Sequence, residues 1–277
     1  MKKSLLLFIA FLCIVTPSCS SNESTPAPIV EEDEDIIFKD DFDTFQSSIW
    51  TKEVHNSGWV NNELQAYDTD HVSVGKDGDK SVLILTAERK GDKIYSGRIN
   101  SKNKKSFKYG TIQASIRLPK TNAGLWPAFW MMGESNEGWP KCGEIDIMEM
   151  GERSGISSGN SETQINSAIH FGETPATHKQ EYNLAIFPNS LQDGKYHTYT
   201  LEWNDESITI SVDGIKLHSY DINKSTEKHQ YFSDNFHILF NLAVGGDFTG
   251  IKDIEKITAL KDGQKVNMYV DWVKISK

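Results

Sequence analysis

Residues 208–220 read ITISVDGIKLHSY. Ile208, Ile210 and Val212 alternate with Thr209 and Ser211, a period of two that turns one face of a strand toward a core and the other toward water. Asp213-Gly214 then supplies the two positive φ angles of a tight hairpin, and Ile215 and Leu217 open the return strand. The same alternation recurs outward along the chain, in SVLILTAER (81–89), YGTIQASIRLP (109–119), YHTYTLEW (196–203) and MYVDWVKI (268–275). No stretch keeps helical periodicity for three turns. Many short antiparallel strands imply an all-β fold of two packed sheets, a sandwich or jelly roll.

The chain has 277 residues, 38% of them hydrophobic, which is enough to fill a sizeable core. A formal net charge of -10 argues against nucleic acid or an anionic lipid surface as partner, because both draw on clustered Lys and Arg. A neutral ligand fits better. Seven Trp and nine Tyr offer flat faces for sugar rings, or simply fill the core.

The N-terminus is set apart from the rest. Met1-Lys2-Lys3 precedes the apolar run SLLLFIAFLCIV (4–15), and TPSC (16–19) places a small residue before Cys19. The pattern resembles a bacterial lipoprotein signal with Cys19 as the lipidated residue; plain secretion with cleavage nearby is the alternative. Residues 1–18 are therefore expected to be a signal peptide and residues 19–35, CSSNESTPAPIVEEDED, a flexible acidic tether. Residues 36–277 read as a single domain. The expected location is the bacterial cell envelope, by lipid anchor, at the outer-membrane surface or its periplasmic face, with the membrane touched only through the anchor. With Cys13 in the signal and Cys19 lipidated, Cys142 stands alone. The domain then has no disulfide, and Cys142 reads as a buried thiol rather than a nucleophile.

The chemistry concentrates in KCGEIDIMEMG (141–151), where Glu144, Asp146 and Glu149 interrupt an apolar run. On a helix, at about 100° per residue, the two glutamates would point well apart. On a strand, Glu144 and Asp146 share a face while Ile145 and Ile147 enter the core. Strict alternation would bury Glu149, so the spacing predicts a one-residue bulge at Ile147 or Met148, which returns Glu149 to the face of Glu144. The carboxyl gap then approaches the ~5 to 5.5 Å of a retaining glycosidase. Asp146 between them would hold the nucleophile and keep a neighbouring acid protonated. An acidic strand of this kind also suits a solvated face or a Ca²⁺ site.

The flanking blocks bear on that choice. GWVNNELQAYD (58–68), YSGRINSKNKKSFKYGTIQASIRLPK (95–120), GLWPAFWMMGE (124–134), GWPKCGEIDIMEMG (138–151), HTYTLEWNDESITISVDG (197–214), FNLAVGGDF (240–248) and VDWVKI (270–275) span nearly the whole domain. Together they resemble glycoside hydrolase family 16, in particular its laminarinase-like bacterial β-glucanases with the bulged E-x-D-x-x-E motif. The resemblance implies a two-sheet β-jelly-roll sandwich, concanavalin-like, with a concave cleft, and retaining endo-hydrolysis of β-glucans by a monomer. By motif position it makes Glu144 the nucleophile, Glu149 the acid/base and Asp146 the assistant. Asn62, Arg98, Trp126, Trp130, Trp139, His170 and Asn241 match cleft positions. Asp271 matches a structural Ca²⁺ position, with a carbonyl near Gly78 as second ligand; catalysis itself requires no cofactor. The substrate implied is a neutral glucan with β-1,3 linkages, laminarin-like or mixed β-1,3/1,4. Two alternatives remain open at this level: a non-catalytic carbohydrate-binding lipoprotein on the same fold, and a family member acting on another polysaccharide such as agar.

Overall fold

The computed structural model describes residues 35–277. Residues 1–34, which hold the expected signal peptide, Cys19 and nearly all of the tether, lie outside the described residues. Strands are numbered in chain order. One sheet of ten strands follows the main path β16 (Ile215–Asp221), β15 (Ser207–Val212), β14 (His197–Trp203), β9 (Gly110–Arg117), β18 (Lys265–Ser276), β5 (Lys80–Lys90), β6 (Lys93–Ser96) and β3 (Gln65–Tyr67). In that sheet β1 (Ile36–Asp40) pairs with β18 and β4 (Val72–Asp77) with β5. A second sheet of eight strands runs β13 (Lys179–Ile186), β12 (Gln164–Phe171), β11 (Glu144–Glu149), β10 (Leu125–Gly133), β17 (Phe236–Val244), β7 (Arg98–Asn100) and β2 (Thr51–Lys52), with β8 (Ser106–Phe107) beside β17. The two sheets make the β-jelly-roll sandwich that the alternation called for.

The core lies between the sheets. Leu83, Leu85, Ile112 and Ile116 face it from the larger sheet, and Phe129, Ile145, Ile147, Ile169 and Phe240 from the smaller one. Phe129 and Phe240, paired across β10 and β17, stack with ring centroids 4.8 Å apart, a geometry that contributes beyond the area it buries. Buried Trp50 donates its indole N–H to Asp40 at 2.8 Å. The outer face of the smaller sheet is left for the cleft.

The hairpin at 208–220 forms as its sequence dictates on the first strand: Ile208, Ile210 and Val212 are fully buried, and Asp213 and Gly214 take φ of 49° and 76°. The return strand differs. A bulge between Ile210 and Ser211 leaves Leu217 unpaired, and Ile215 stays exposed. β16 is an edge strand, and Ile215 stands at its hairpin tip while Leu217 still packs partly against the core.

The Ca²⁺ reading needs correction. Asp271 is buried on β18, but its Oδ2 meets the Lys80 ammonium at 2.5 Å and lies 3.4 Å from the Ser115 hydroxyl. A Ca²⁺ ion wants six to eight oxygens. Here an amine already holds the carboxylate, and Gly78 serves the β4–β5 turn with φ of 61°. The residues at Asp271 and Gly78 do not fit the metal.

Candidate active site

The bulge in β11 sets the site. On one side of the strand Asp146 pairs with Ala168 and Glu149 with Asn166, so a three-residue step faces a two-residue step. On the other side Asp146 pairs with Trp130 and Met148 with Phe129, leaving Ile147 as the extra residue. Ile147 and Met148 are both fully buried. Two consecutive inward side chains are what return Glu149 to the face of Glu144 and Asp146.

These three carboxyls sit in a cleft of about 550 Å³ on the outer face of the smaller sheet. Trp126 donates its indole N–H to Glu149 at 2.9 Å. His170 reaches across from β12, its Nε2 3.0 Å from Asp146 Oδ2 and 3.8 Å from Glu144 Oε1. Behind it, His170 Nδ1 and His178 Nε2 are 2.8 Å apart, a bond that needs one ring to donate and the other to accept. Burial, reinforced by the Asp146 charge, pushes the Glu144 and Glu149 carboxyls up to about 8. Burial raises Asp146 in the same direction. A site that resists full ionisation keeps a proton near neutral pH, which is what a general acid beside a nucleophile requires.

The other expected cleft residues divide. Trp126, Trp130, Arg98 and Asn241 line the cleft. Trp130 and Asn241 lock each other, with the indole N–H donating to Asn241 Oδ1 at 2.7 Å. Arg98 lies 4.9 Å from the Trp130 ring centroid and is also ion-paired with Glu53. Trp139 stands at the rim, 38% exposed, its ring 4.6 Å from that of His178. His170 touches the carboxylates rather than the open cleft. Asn62 is a correction: its side chain is turned away to Asp247 at 2.8 Å. Asn61 and Asn62 both adopt positive φ, 52° and 53°, in a turn closed by the Glu63 N–H on the Val60 carbonyl, and it is Asn61 that lines the cleft.

Several cleft residues went unread in the sequence. Glu53 is one; burial opposes its ionisation, but the charge and hydrogen bond of Arg98 hold its carboxyl below the ordinary range. Glu63 is another, raised by burial although Gln65, Asn61 and Tyr67 all donate to it, Gln65 at 2.6 Å. Trp59, Asn100 and His237 complete the same end. Trp59 and Glu63 had a signal as members of the GWVNNELQAYD block and Asn100 as a member of the block at 95–120, whereas Glu53 and His237 had none. Cys142 is a buried thiol, lifted to about 11 by burial and the nearby Glu144, and so a poor nucleophile.

The geometry has counterparts. The chain is similar to the GH16 protein of a Bacteroides ovatus mixed-linkage glucan PUL, solved with a G4G4G3G product: 68% identity, TM-score 0.84, covering 87% of this chain and 100% of that one. It is 32% identical over 244 residues to a glucan endo-1,3-β-glucosidase of Cryptopygus antarcticus, covering 81% of this chain and 85% of the relative. It is 29% identical to the clotting factor G α subunit of Tachypleus tridentatus, where the match covers 87% of this chain but 33% of that longer protein. Residues 60–274 match the model of glycosyl hydrolases family 16, and the chain belongs to that family.

Proposed function

We propose that the protein is a retaining endo-β-glucanase acting on glucans that contain β-1,3 linkages, with mixed β-1,3/1,4-glucan as its preferred polymer. The observation that carries this is the bulged strand, which presents Glu144, Asp146 and Glu149 together on the cleft face. The Glu144 carboxylate attacks the anomeric carbon while Glu149 gives its proton to the glycosidic oxygen, and the leaving chain departs as an alcohol. Water, losing a proton to Glu149, then opens the glycosyl ester and frees Glu144, with the β configuration retained. Asp146 orients the nucleophile, and its own position is held by His170. The similarity to a protein solved with a mixed-linkage product supports the choice of polymer. Release of reducing ends from barley-type mixed-linkage glucan, laminarin and agarose tests it. The expected order is mixed-linkage first and agarose last, and no release from any of them would leave only a binding role.

We further propose that Cys19 carries lipid and anchors the enzyme in the cell envelope, where a polymer too large to enter the cell is met. Cys19→Ala is expected to move activity from the membrane fraction to the soluble one; a soluble wild type refutes the anchor.

A further inference from the structure

The pairing registers of the smaller sheet define rows of side chains crossing its cleft face. One row runs Asn100, Leu239, Trp130, Asp146, Ala168, Tyr182; the next runs Arg98, Asn241, Ala128, Glu149, Asn166, Leu184. Directly opposed residues in an antiparallel pair point to the same side. Tyr182 and Leu184, and Ile186 two residues further, therefore share the face of the catalytic carboxyls.

The two halves of each row differ. On the side of β10, β17 and β7 the cleft is enclosed and carries the polar groups Arg98 and Asn241. On the other side lies the edge strand β13, with Tyr182, Leu184 and Ile186 exposed at 45%, 38% and 57%. Its alternation is the reverse of an ordinary outer strand: Glu181, Asn183 and the small Ala185 are the half-buried residues, and the large apolar ones face out. An apolar edge facing water is a liability that proteins usually blunt with charge. Tyr182 also leans toward the catalytic strand, because its hydroxyl bonds the amide of Asn166, the register partner of Glu149. Asn166 is fully buried, and its Oδ1 has no partner.

We propose that Tyr182, Leu184 and Ile186 form the surface that receives the leaving-group end of the glucan, and the sugar acceptor that competes with water once the glycosyl-enzyme has formed. This rests on the hydrolytic function proposed above. The assignment of ends follows from the mechanism. The glycone stays bound through a covalent intermediate and suits the enclosed half, whereas the leaving chain must depart for water to enter and suits an open ledge. β13 lies two strand spacings, roughly 10 Å, from the catalytic strand, within reach of the first sugars past the scissile bond. Pyranose rings present apolar C–H faces that pack on a tyrosine ring and on aliphatic side chains.

The test compares two substrates. Mixed-linkage glucan fills both halves of the cleft; an aryl β-glycoside of a gluco-oligosaccharide places only a nitrophenol past the scissile bond. For Tyr182→Ala and for Leu184→Ser/Ile186→Ser, the loss of kcat/KM on the polymer is expected to exceed the loss on the aryl glycoside by on the order of tenfold, and transfer to an added disaccharide should fall with it. Tyr182→Phe, which keeps the ring, should restore most of the polymer rate. Equal losses on both substrates, or none on either, overturn the proposal. So does a parent that sediments as a dimer and becomes a monomer on Tyr182→Ala, since a second copy would then occupy the ledge. A parent inactive on both substrates removes the hydrolytic function itself, and the ledge with it.

Discussion

At the scale of the residue, the site is a balance between burial and charge. Glu144 and Glu149 are expected to lose orders of magnitude in kcat on conversion to Gln, with substrate affinity by calorimetry largely kept, because each substitution removes a group needed only as bonds change. Both carboxyls have folded-state values above the ordinary one, so the folded protein holds protons that the unfolded chain releases, and stability falls as pH rises from the ordinary carboxylate range toward about 8. Near neutral pH the Gln variants should therefore melt no lower than the parent. A drop of several degrees would mean that the buried carboxyls do not cost the fold stability when they ionise. Asp146→Asn tests a second point. The charge of Asp146 adds to burial in raising Glu149, with a smaller push from Glu63, against the opposing pull of His170 and Trp126. Removing it lowers the acid's pKa, so the alkaline limb of the kcat/KM profile should move to lower pH, and the rate loss should be smaller than for Glu144→Gln. An unmoved limb would detach Asp146 from the acid. The three carboxylates were legible in sequence because charges in an apolar run demand a reason. Glu53 was not, since a lone glutamate carries no such demand until Arg98 and Asn100 fold against it.

At the scale of the element, function depends on one extra residue. The odd spacing of Glu149 foretold the bulge, because only a break in alternation lets five positions end on the starting face, and the registers on both sides of β11 contain that break. Deleting Met148 removes it and leaves E-I-D-I-E, in which plain alternation keeps Glu149 on the face of Glu144 and Asp146, one strand step closer, and still turns Met150 inward. The variant should therefore fold, with its melting temperature lowered only by the loss of one buried methionine. Reducing-end release should fall because Glu149 is displaced from its bond to Trp126. A deletion variant that does not fold would mean that the rest of the strand cannot pair without the extra residue. Strands rich in Ile and Val, such as β5 and β15, were readable to within a residue or two at their ends, since their alternation serves burial alone. The turn at Asn61-Asn62 had a local signal, since asparagine takes positive φ readily and the Glu63 N–H closes the two-residue turn on the Val60 carbonyl; which of the two side chains enters the cleft was not readable, because Asn62 is drawn off by Asp247, far away in sequence.

At the scale of the whole molecule, the question is what ties the larger sheet together far from the cleft. The family resemblance put a Ca²⁺ ion at Asp271; the structure puts the Lys80 ammonium there, joining β18 to the start of β5. An ammonium and a divalent cation solve the same problem, a buried carboxylate in need of positive charge, and both do not fit at one oxygen. The fold should therefore be indifferent to calcium: a chelator and millimolar calcium should each leave the melting temperature where it was. Lys80→Met removes the ammonium and leaves a buried carboxylate alone. Lys80 is half exposed and Asp271 nearly buried, so the cost is smaller than for a fully buried pair and is of order 1 kcal/mol. In a domain of this size that lowers the melting temperature by roughly 2–4 °C. Adding Asp271→Asn to Lys80→Met should recover much of the loss, because the stranded charge goes with it. A chelator that lowers the parent's melting temperature would show instead that calcium displaces Lys80 in solution.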